Sequence, residues 1–239
     1  MTATYNIPLV IVSALIAIVA AYIALEVANK LFQANYNRHF WLVGGGIAMG
    51  TGIWSMHFIA MLAFAIPIYV TYNLTIVFLS LVLAVLAAIQ AFYIIGHPKP
   101  GSMTMLTGSI VMGVGIALMH YTGMIAMHMP ATLRYQPGMF ALSVLIAVAV
   151  SFVALRLSIR FRDERRAKQM GGKLATACLM GGAVLSMHYT GMAAAIFIPQ
   201  YDKGIVPSGL DNIWLAFIIC GFLFVTLIPI AASLFSESL

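Results

Sequence analysis

Three histidines that share the same methionine neighbours are the residues best placed to do chemistry. His57, His120 and His188 each directly follow a methionine and precede another by four residues, and a third methionine stands eight residues earlier. These nine methionines, of 16 in the chain, are Met49, Met56, Met61, Met112, Met119, Met124, Met180, Met187 and Met192. Imidazole nitrogen and thioether sulfur are suitable ligands for copper, especially Cu(I). The pattern therefore predicts a metal site.

Helical geometry divides the methionines into two groups. A residue four positions after a histidine lies on the same helix face. The methionines at this position are Met61, Met124 and Met192. We predict that His57, His120 and His188 bind the metal and that one or more of these methionines completes the shell. The preceding methionines lie about 100° around the helix and are candidates for a secondary site. They are Met56, Met119 and Met187.

Three metal centres compete for this ligand set. Three histidines at one level also match a zinc site with an open fourth position, although zinc has little need for methionine sulfur. A haem held by two histidines, or by histidine and methionine, ranks third because three equivalent ligands suit a compact ion better. Methionine is also a common filler of gaps in protein cores. Three copies with equal offsets favour a site over packing alone, with copper as the first choice.

A weaker secondary metal site is predicted near the end of the fourth apolar segment. His128 stands there beside Met127, which is expected to share the helix face of His120. An interfacial histidine is the commoner explanation for this position.

The elements that position these residues are membrane-spanning helices. Of 239 residues, 63% are hydrophobic and 8% charged, whereas soluble domains carry roughly 25% charged residues. Apolar segments of about 20 to 26 residues are long enough to cross a hydrocarbon core. They cover residues 8–29, 41–66, 74–95, 105–129, 138–160, 173–198 and 212–234. We predict an all-α integral membrane protein with seven transmembrane helices forming a single domain over residues 1–239.

The basic residues predict how the helices are oriented. Ten of the 12 lysines and arginines fall at or beside the odd-numbered connections, which the positive-inside rule assigns to the cytoplasm. The N-terminus is then outside and the C-terminus cytoplasmic. The net charge of +6 reflects this topology, so no nucleic-acid partner is expected.

The histidine segments belong to a repeated pair of helices. Three parallel repeats of about 65 residues, followed by a seventh helix, could surround a threefold axis along the membrane normal. Each repeat carries small residues four apart on the histidine face, which allow close helix packing in lipid. The glycines among them are Gly46, Gly50, Gly113 and Gly181. We expect the three histidine-bearing helices to pack tightly together below the imidazoles.

The segments Met119-His120-Tyr121-Thr122 and Met187-His188-Tyr189-Thr190 resemble the bacterial MHYT domain family, named for this tetrapeptide. The resemblance extends over essentially the whole chain. The first copy, Met56-His57-Phe58-Ile59, differs in its last two residues, so a role for the tyrosine or threonine side chain is in doubt there.

The resemblance implies a sensory module of the bacterial cytoplasmic membrane. It would bind copper through the histidines and methionines and perceive a diatomic gas (oxygen, carbon monoxide or nitric oxide) or redox state. Its output would be a cytoplasmic domain or partner such as a diguanylate cyclase, phosphodiesterase or histidine kinase. The module itself would not be an enzyme, and the chain would be either a module of a longer protein or a stand-alone form. A copper transporter and a haem or metal oxidoreductase are the alternative functions.

Overall fold

Seven long helices make up most of the part of the protein that the structure describes. A computed structural model describes residues 4–34, 36–162, 170–200 and 209–236. Within these ranges the helices are α1 (Ile7–Gln33), α2 (Arg38–Ala63), α3 (Leu74–Ile95), α4 (Ser102–Ile125), α5 (Pro137–Phe161), α6 (Met170–Ala194) and α7 (Asn212–Ser236). All seven are long and apolar enough to cross a membrane. The predicted seven-helix, all-α architecture is therefore confirmed.

Capping side chains or a proline mark the starts of the odd-numbered helices. The Asn6 side chain accepts a hydrogen bond from the backbone N–H of Leu9, and Asn73 caps α3 in the same way. Pro137 occupies the first turn of α5, and Asp211 Oδ1 accepts from two backbone N–H groups at the start of α7. These caps satisfy backbone donors that the first turn of a helix leaves without partners.

The first six helices form a closed ring in chain order. Each packs against its neighbours in sequence, and α6 closes the ring by packing against both α5 and α1. Helix α7 lies outside the ring against α2, where Phe222 contacts Trp54 at a ring-centroid distance of 5.8 Å. The arrangement matches three consecutive helix pairs around a common axis, as the repeats predict.

Short strands close each helix pair at the end opposite the α1–α2 connection. They are β1 (Thr4–Tyr5), β2 (Phe64–Ala65), β3 (Thr71–Tyr72), β4 (Met127–His128), β5 (Ala131–Tyr135) and β6 (Ala195–Pro199). The strand before each odd-numbered helix pairs antiparallel with the strand after the next even-numbered helix: β1 with β2, β3 with β4, and β5 with β6. The three repeats therefore share one closure.

These strands correct the predicted ends of the even-numbered spans. The sequence pattern continues α2, α4 and α6 to residues 66, 129 and 198, but the helices end at Ala63, Ile125 and Ala194. The residues that follow remain apolar, so hydropathy alone extends the helix. Pairing with the neighbouring strand satisfies their backbone groups in extended form instead.

Candidate metal centre

The three motif histidines converge at the centre of the helix ring. His57 on α2, His120 on α4 and His188 on α6 are each at most 1% exposed. The Nδ1 of His57 lies 3.1 Å from Nδ1 of His188 and 3.2 Å from Nδ1 of His120. The ring centroids form a nearly equilateral triangle with sides of 4.9, 5.1 and 5.1 Å. Within the described part of the chain, these three are the one group of histidine, cysteine or acidic residues arranged to hold a metal.

Hydrogen bonds between the imidazoles cannot fully account for the close approach of these Nδ1 atoms. A neutral imidazole nitrogen is either a donor or an acceptor, so Nδ1 of His57 cannot donate to one neighbour while accepting from the other. A cation between the rings would accept all three lone pairs at once. Metal–nitrogen bonds of about 2.0–2.1 Å in tetrahedral geometry correspond to nitrogen–nitrogen separations of about 3.3 Å. The two separations from Nδ1 of His57 differ from this value by 0.1–0.2 Å, and one ligand nitrogen from each histidine lies within 4.8 Å of the others. The donor set can therefore hold a single small ion.

The outward-facing nitrogens of His57 and His120 lie against glycines of the next even-numbered helix. A Cβ atom added to Gly123 on α4 would collide with Nε2 of His57, and one added to Gly191 on α6 would collide with Nε2 of His120. No described residue offers a hydrogen-bond partner to Nε2 of any of the three histidines. The two glycines therefore make the space that lets the rings turn their Nδ1 atoms inward.

These glycines position the imidazole rings, and the motif spacing does not reveal them. Each stands three residues after a motif histidine, and the corresponding residue of the first copy is Ala60. A small residue at this position in all three copies is the signal that could have indicated them. Spacing alone does not show which neighbouring ring fills the space.

The residue after each histidine provides an aromatic wall. The rings of Phe58, Tyr121 and Tyr189 pack edge-on against the preceding imidazoles at centroid distances of 4.8, 4.8 and 5.0 Å. The first copy replaces tyrosine by phenylalanine and keeps the same contact. The contact common to all three copies therefore uses the ring and not the hydroxyl.

The predicted methionine ligands are buried around the histidines. Met61, Met124 and Met192 lie one helical turn, about 6 Å, beyond the imidazoles and are 1%, 0% and 4% exposed. The secondary set is equally buried, with Met56, Met119 and Met187 at 0%, 0% and 1%. Both sets are therefore buried within one helical turn of the histidine level.

The second predicted metal site does not adjoin the histidine cluster along a helix. Met127 and His128 belong to strand β4, after α4 has ended at Ile125. The shared helical face with His120 therefore does not exist. Met127 instead lines a surface pocket of about 400 Å³ together with Tyr72 and Asp211, and His128 is exposed.

The small residues on the histidine face contact different helices from those expected. A Cβ on Gly50 would lie 2.6 Å from Cα of Val85 on α3, and one on Gly113 would lie 2.5 Å from Cα of Val148 on α5. Gly181 packs against Ile18 on α1 in the same way. Gly46 also faces α3, at Ile89. The close packing thus joins each even-numbered helix to an odd-numbered neighbour, and the even-numbered helices touch one another little.

Carboxylates take no part in the cluster. The two acidic residues in the described ranges are Glu26 and Asp211. Glu26 forms an ion pair with Lys173 across α1 and α6, with a 2.5 Å separation, and Asp211 caps α7. Among the described residues the histidine cluster therefore has only imidazoles, thioethers and other uncharged groups around it, which would suit a soft ion of low charge.

The regions that match a known protein family correspond to repeats seen in the structure. A family model described as MHYT, the N-terminal repeat of bacterial signalling proteins, matches residues 50–108 and 113–171. The two matches begin at the glycines seven residues before His57 and His120. No solved structure matches the chain.

Several longer bacterial proteins are similar to the chain. The bifunctional diguanylate cyclase/cyclic di-GMP phosphodiesterase MucR of Pseudomonas aeruginosa is 41% identical over 97% of this chain and 33% of its own length. The cyclic di-GMP phosphodiesterase NbdA of the same organism is 42% identical over 81% of the chain and 25% of its own length. The signaling protein YkoW of Bacillus subtilis is 35% identical over 86% of the chain and 25% of its own length. The chain thus spans a third or less of these relatives.

Proposed function

The chain belongs to the MHYT family of bacterial signalling-protein repeats, and we propose that it is a membrane sensory module whose three motif histidines bind copper. The observation that carries this proposal is the convergence of three Nδ1 atoms at the centre of the helix ring. The MHYT repeats are the sensory part of such proteins, and catalytic output belongs to separate domains.

The charge of the site supports Cu(I) over zinc. A buried ion in a neutral shell keeps its full charge, and the cost of burying charge rises steeply from a monovalent to a divalent ion. Zinc sites commonly gain from acceptors that polarise the outer imidazole nitrogen. Here no described residue accepts from the Nε2 atoms, which favours a soft monovalent ion.

The packing of the rings argues against haem. A bis-histidine haem requires a planar macrocycle between two imidazoles. Nδ1 of His57 lies 3.1 and 3.2 Å from Nδ1 of the other two histidines, and aromatic rings and glycines occupy other sides of the imidazoles. A compact ion therefore fits better than a macrocycle.

The proposed stimulus is a diatomic gas or a change in redox state. Copper held by His57, His120 and His188 would supply a redox-active centre with room in its coordination shell for a small ligand. Met61, Met124 and Met192 would complete or vacate that shell. Because the three histidines lie on three different helices, any change in imidazole separation moves α2, α4 and α6 relative to one another.

We propose that the signal passes from α2 to α7. Helix α7 packs on α2 through Phe222 and Trp54, and Ile230 lies against Gly44 farther along the same pair. A displacement of His57 on α2 therefore reaches α7, which leads toward the C-terminus. We infer that a cytoplasmic output, such as the cyclic di-GMP enzymes named among the relatives or a histidine kinase, receives the signal at the bacterial inner membrane.

Metal content of the purified protein tests the proposal. We expect copper in the wild-type protein and its loss in H57A, H120A and H188A, each compared with H97A, which removes an exposed histidine in the α3–α4 connection. Equal membrane insertion of all variants makes the comparison valid. Copper retained in H120A, or zinc or a Soret band in the wild type, would contradict the assignment, and copper flux in vesicles would indicate a transporter instead.

A further inference from the structure

A second group of three equivalent methionines surrounds a small cavity on the axis of the helix ring. Met49 on α2, Met112 on α4 and Met180 on α6 all line this cavity, whose volume is about 10 Å³. Their exposed fractions are 8%, 4% and 3%. Each stands eight residues before a motif histidine. The three repeats therefore bring the same thioether to one interior point.

Alanines of the odd-numbered helices complete the wall. Ala24 on α1, Ala91 on α3 and Ala154 on α5 line the same cavity and are 4–6% exposed. All six ring helices thus contribute to this level, with large methionines alternating with small alanines. This alternation locates the cavity on the central axis and not between one pair of helices.

The cavity is separate from the histidine cluster. Eight residues of helix correspond to about 12 Å along the axis, whereas bonds from a metal to nitrogen or sulfur are about 2.0–2.3 Å long. One ion cannot contact both the methionines at this level and the imidazoles. Met49, Met112 and Met180 therefore need an explanation of their own.

Gap filling alone accounts poorly for this cluster. Methionine is flexible and usually closes irregular spaces in a core. Here three methionines meet and still leave room for about one water-sized sphere. Water would find few partners because the wall consists almost entirely of apolar side chains, with Ser158 as the one hydroxyl.

We propose that Met49, Met112 and Met180 form a second metal site, specific for Cu(I), with three thioether ligands. Thioethers select Cu(I) among common metal ions and bind it without losing a proton. The site buries a single positive charge in a neutral shell, and the cavity accommodates one ion. This proposal does not rest on the histidine site, which has different ligands at a different depth.

Cu(I) titration of the full chain in lipid nanodiscs under anaerobic, reducing conditions tests the proposal. A Cu(I)-specific chelator as competitor gives the stoichiometry, and X-ray absorption identifies the ligand atoms. We expect two Cu(I) ions per wild-type chain. The M49L/M112L/M180L variant should bind one ion in a nitrogen-containing shell, and the H57A/H120A/H188A variant one ion with sulfur as its only neighbour.

Control variants separate the site from general effects of methionine loss. M103L/M170L removes two methionines that are 71% and 72% exposed, and it should keep wild-type stoichiometry. Leucine preserves most of the methionine volume. If the triple variant does not fold, the single variant M112L serves instead, and it should lower the Cu(I) affinity of this site at least tenfold. Unchanged Cu(I) binding in the methionine variants would overturn the proposal and leave the histidine site standing. Loss only in the methionine variants would overturn the histidine site instead.

Discussion

At the residue scale, the two nitrogens of each motif histidine have opposite environments. Nδ1 of His57 faces two other imidazole nitrogens at 3.1 and 3.2 Å, whereas its Nε2 lies against Gly123 of α4. The glycine fixes which edge of the ring turns inward, since any larger residue would occupy the space of Nε2. The proposed metal binding at the centre would therefore depend on residues that carry no ligand atom.

Replacement of Gly191 by alanine tests this dependence. The added methyl group would collide with Nε2 of His120 and displace the ring from the centre. We expect copper affinity to fall about 10- to 100-fold, the range seen when residues that orient metal ligands are changed. Chelator competition on the purified protein measures the loss.

Gly182 provides the matched control on the same helix. A Cβ there meets nothing within 4 Å, so G182A should keep wild-type affinity. Equal affinity in G191A and G182A would show that the glycine does not position His120. Similar thermal unfolding of the two variants would exclude loss of fold as the cause.

Motif spacing predicts the depth of the histidines but not their rotation. Equal offsets in three repeats place His57, His120 and His188 at one level, and the structure brings them together. The direction of the His57 and His120 rings depends on contacts with the next even-numbered helix, at Gly123 and Gly191. Those contacts join residues 66 and 71 positions apart, so no local pattern describes them.

At the element scale, the close contacts of the helix ring join even-numbered helices to odd-numbered ones. Small residues on α2, α4 and α6 were expected to join these three helices, yet Gly50 and Gly113 contact the backbones of α3 and α5. Close packing in lipid requires only that one partner be small, and the sequence does not specify the other partner. The even-numbered helices therefore remain slightly separated, with their histidines and methionines between them.

The cytoplasmic ends predicted for the odd-numbered helices are joined by a buried arginine. Arg162, which follows α5 and is 8% exposed, donates from Nη1 to the carbonyls of Ile95 and His97 and from Nη2 to that of Pro98, each at 2.6 Å. Its guanidinium also stacks over Phe32 of α1 at 4.2 Å. One side chain thus ties α5 to the end of α3 and to α1.

Removal of this side chain should weaken the bundle. Hydrogen bonds to charged groups contribute about 1.5–3 kcal/mol each. We therefore expect R162A to lower the free energy of unfolding by about 2 kcal/mol. R162K keeps the charge but lacks the planar fork that reaches three carbonyls, and it should recover only part of the loss. Chemical denaturation in detergent, followed by circular dichroism, measures these changes.

Arg156 on α5 serves as the control for Arg162. It is exposed, and its guanidinium carbon lies 5.3 Å from the ring centroid of Phe152. Exposed cation–π contacts contribute about 0.5–1 kcal/mol, so R156A should cost clearly less than R162A. Equal losses would mean that the charge, and not the capping of α3, stabilises this end.

At the scale of the whole molecule, the three repeats bring two sets of equivalent residues together on one axis. The histidines meet at one level, and Met49, Met112 and Met180 meet about 12 Å away around a cavity. The repeat length predicts that equivalent residues share a depth. That these helices close into a ring, with α7 outside, depends on long-range packing that the sequence pattern does not specify.

The direction of this axis across the membrane is a prediction of the charge distribution. Ten of 12 basic residues are predicted on one side, which places the N-terminus outside. Gly101, before α4, would then face the cytoplasm, and Gly138, in the first turn of α5, the outside. A side chain at either position meets nothing within 4 Å, so cysteine fits both sites without disturbing the fold.

Cysteine labelling on intact cells tests the direction. In a C178S/C220S background, which removes both exposed native cysteines, a membrane-impermeant maleimide should label G138C directly and G101C only after permeabilisation. This result would place the histidines five or six residues, about 8–9 Å, inside the outer ends of α2, α4 and α6. The reverse labelling would put them near the cytoplasmic face, where an external stimulus would first have to pass Met49, Met112 and Met180, and the proposed order of sensing and output would be wrong.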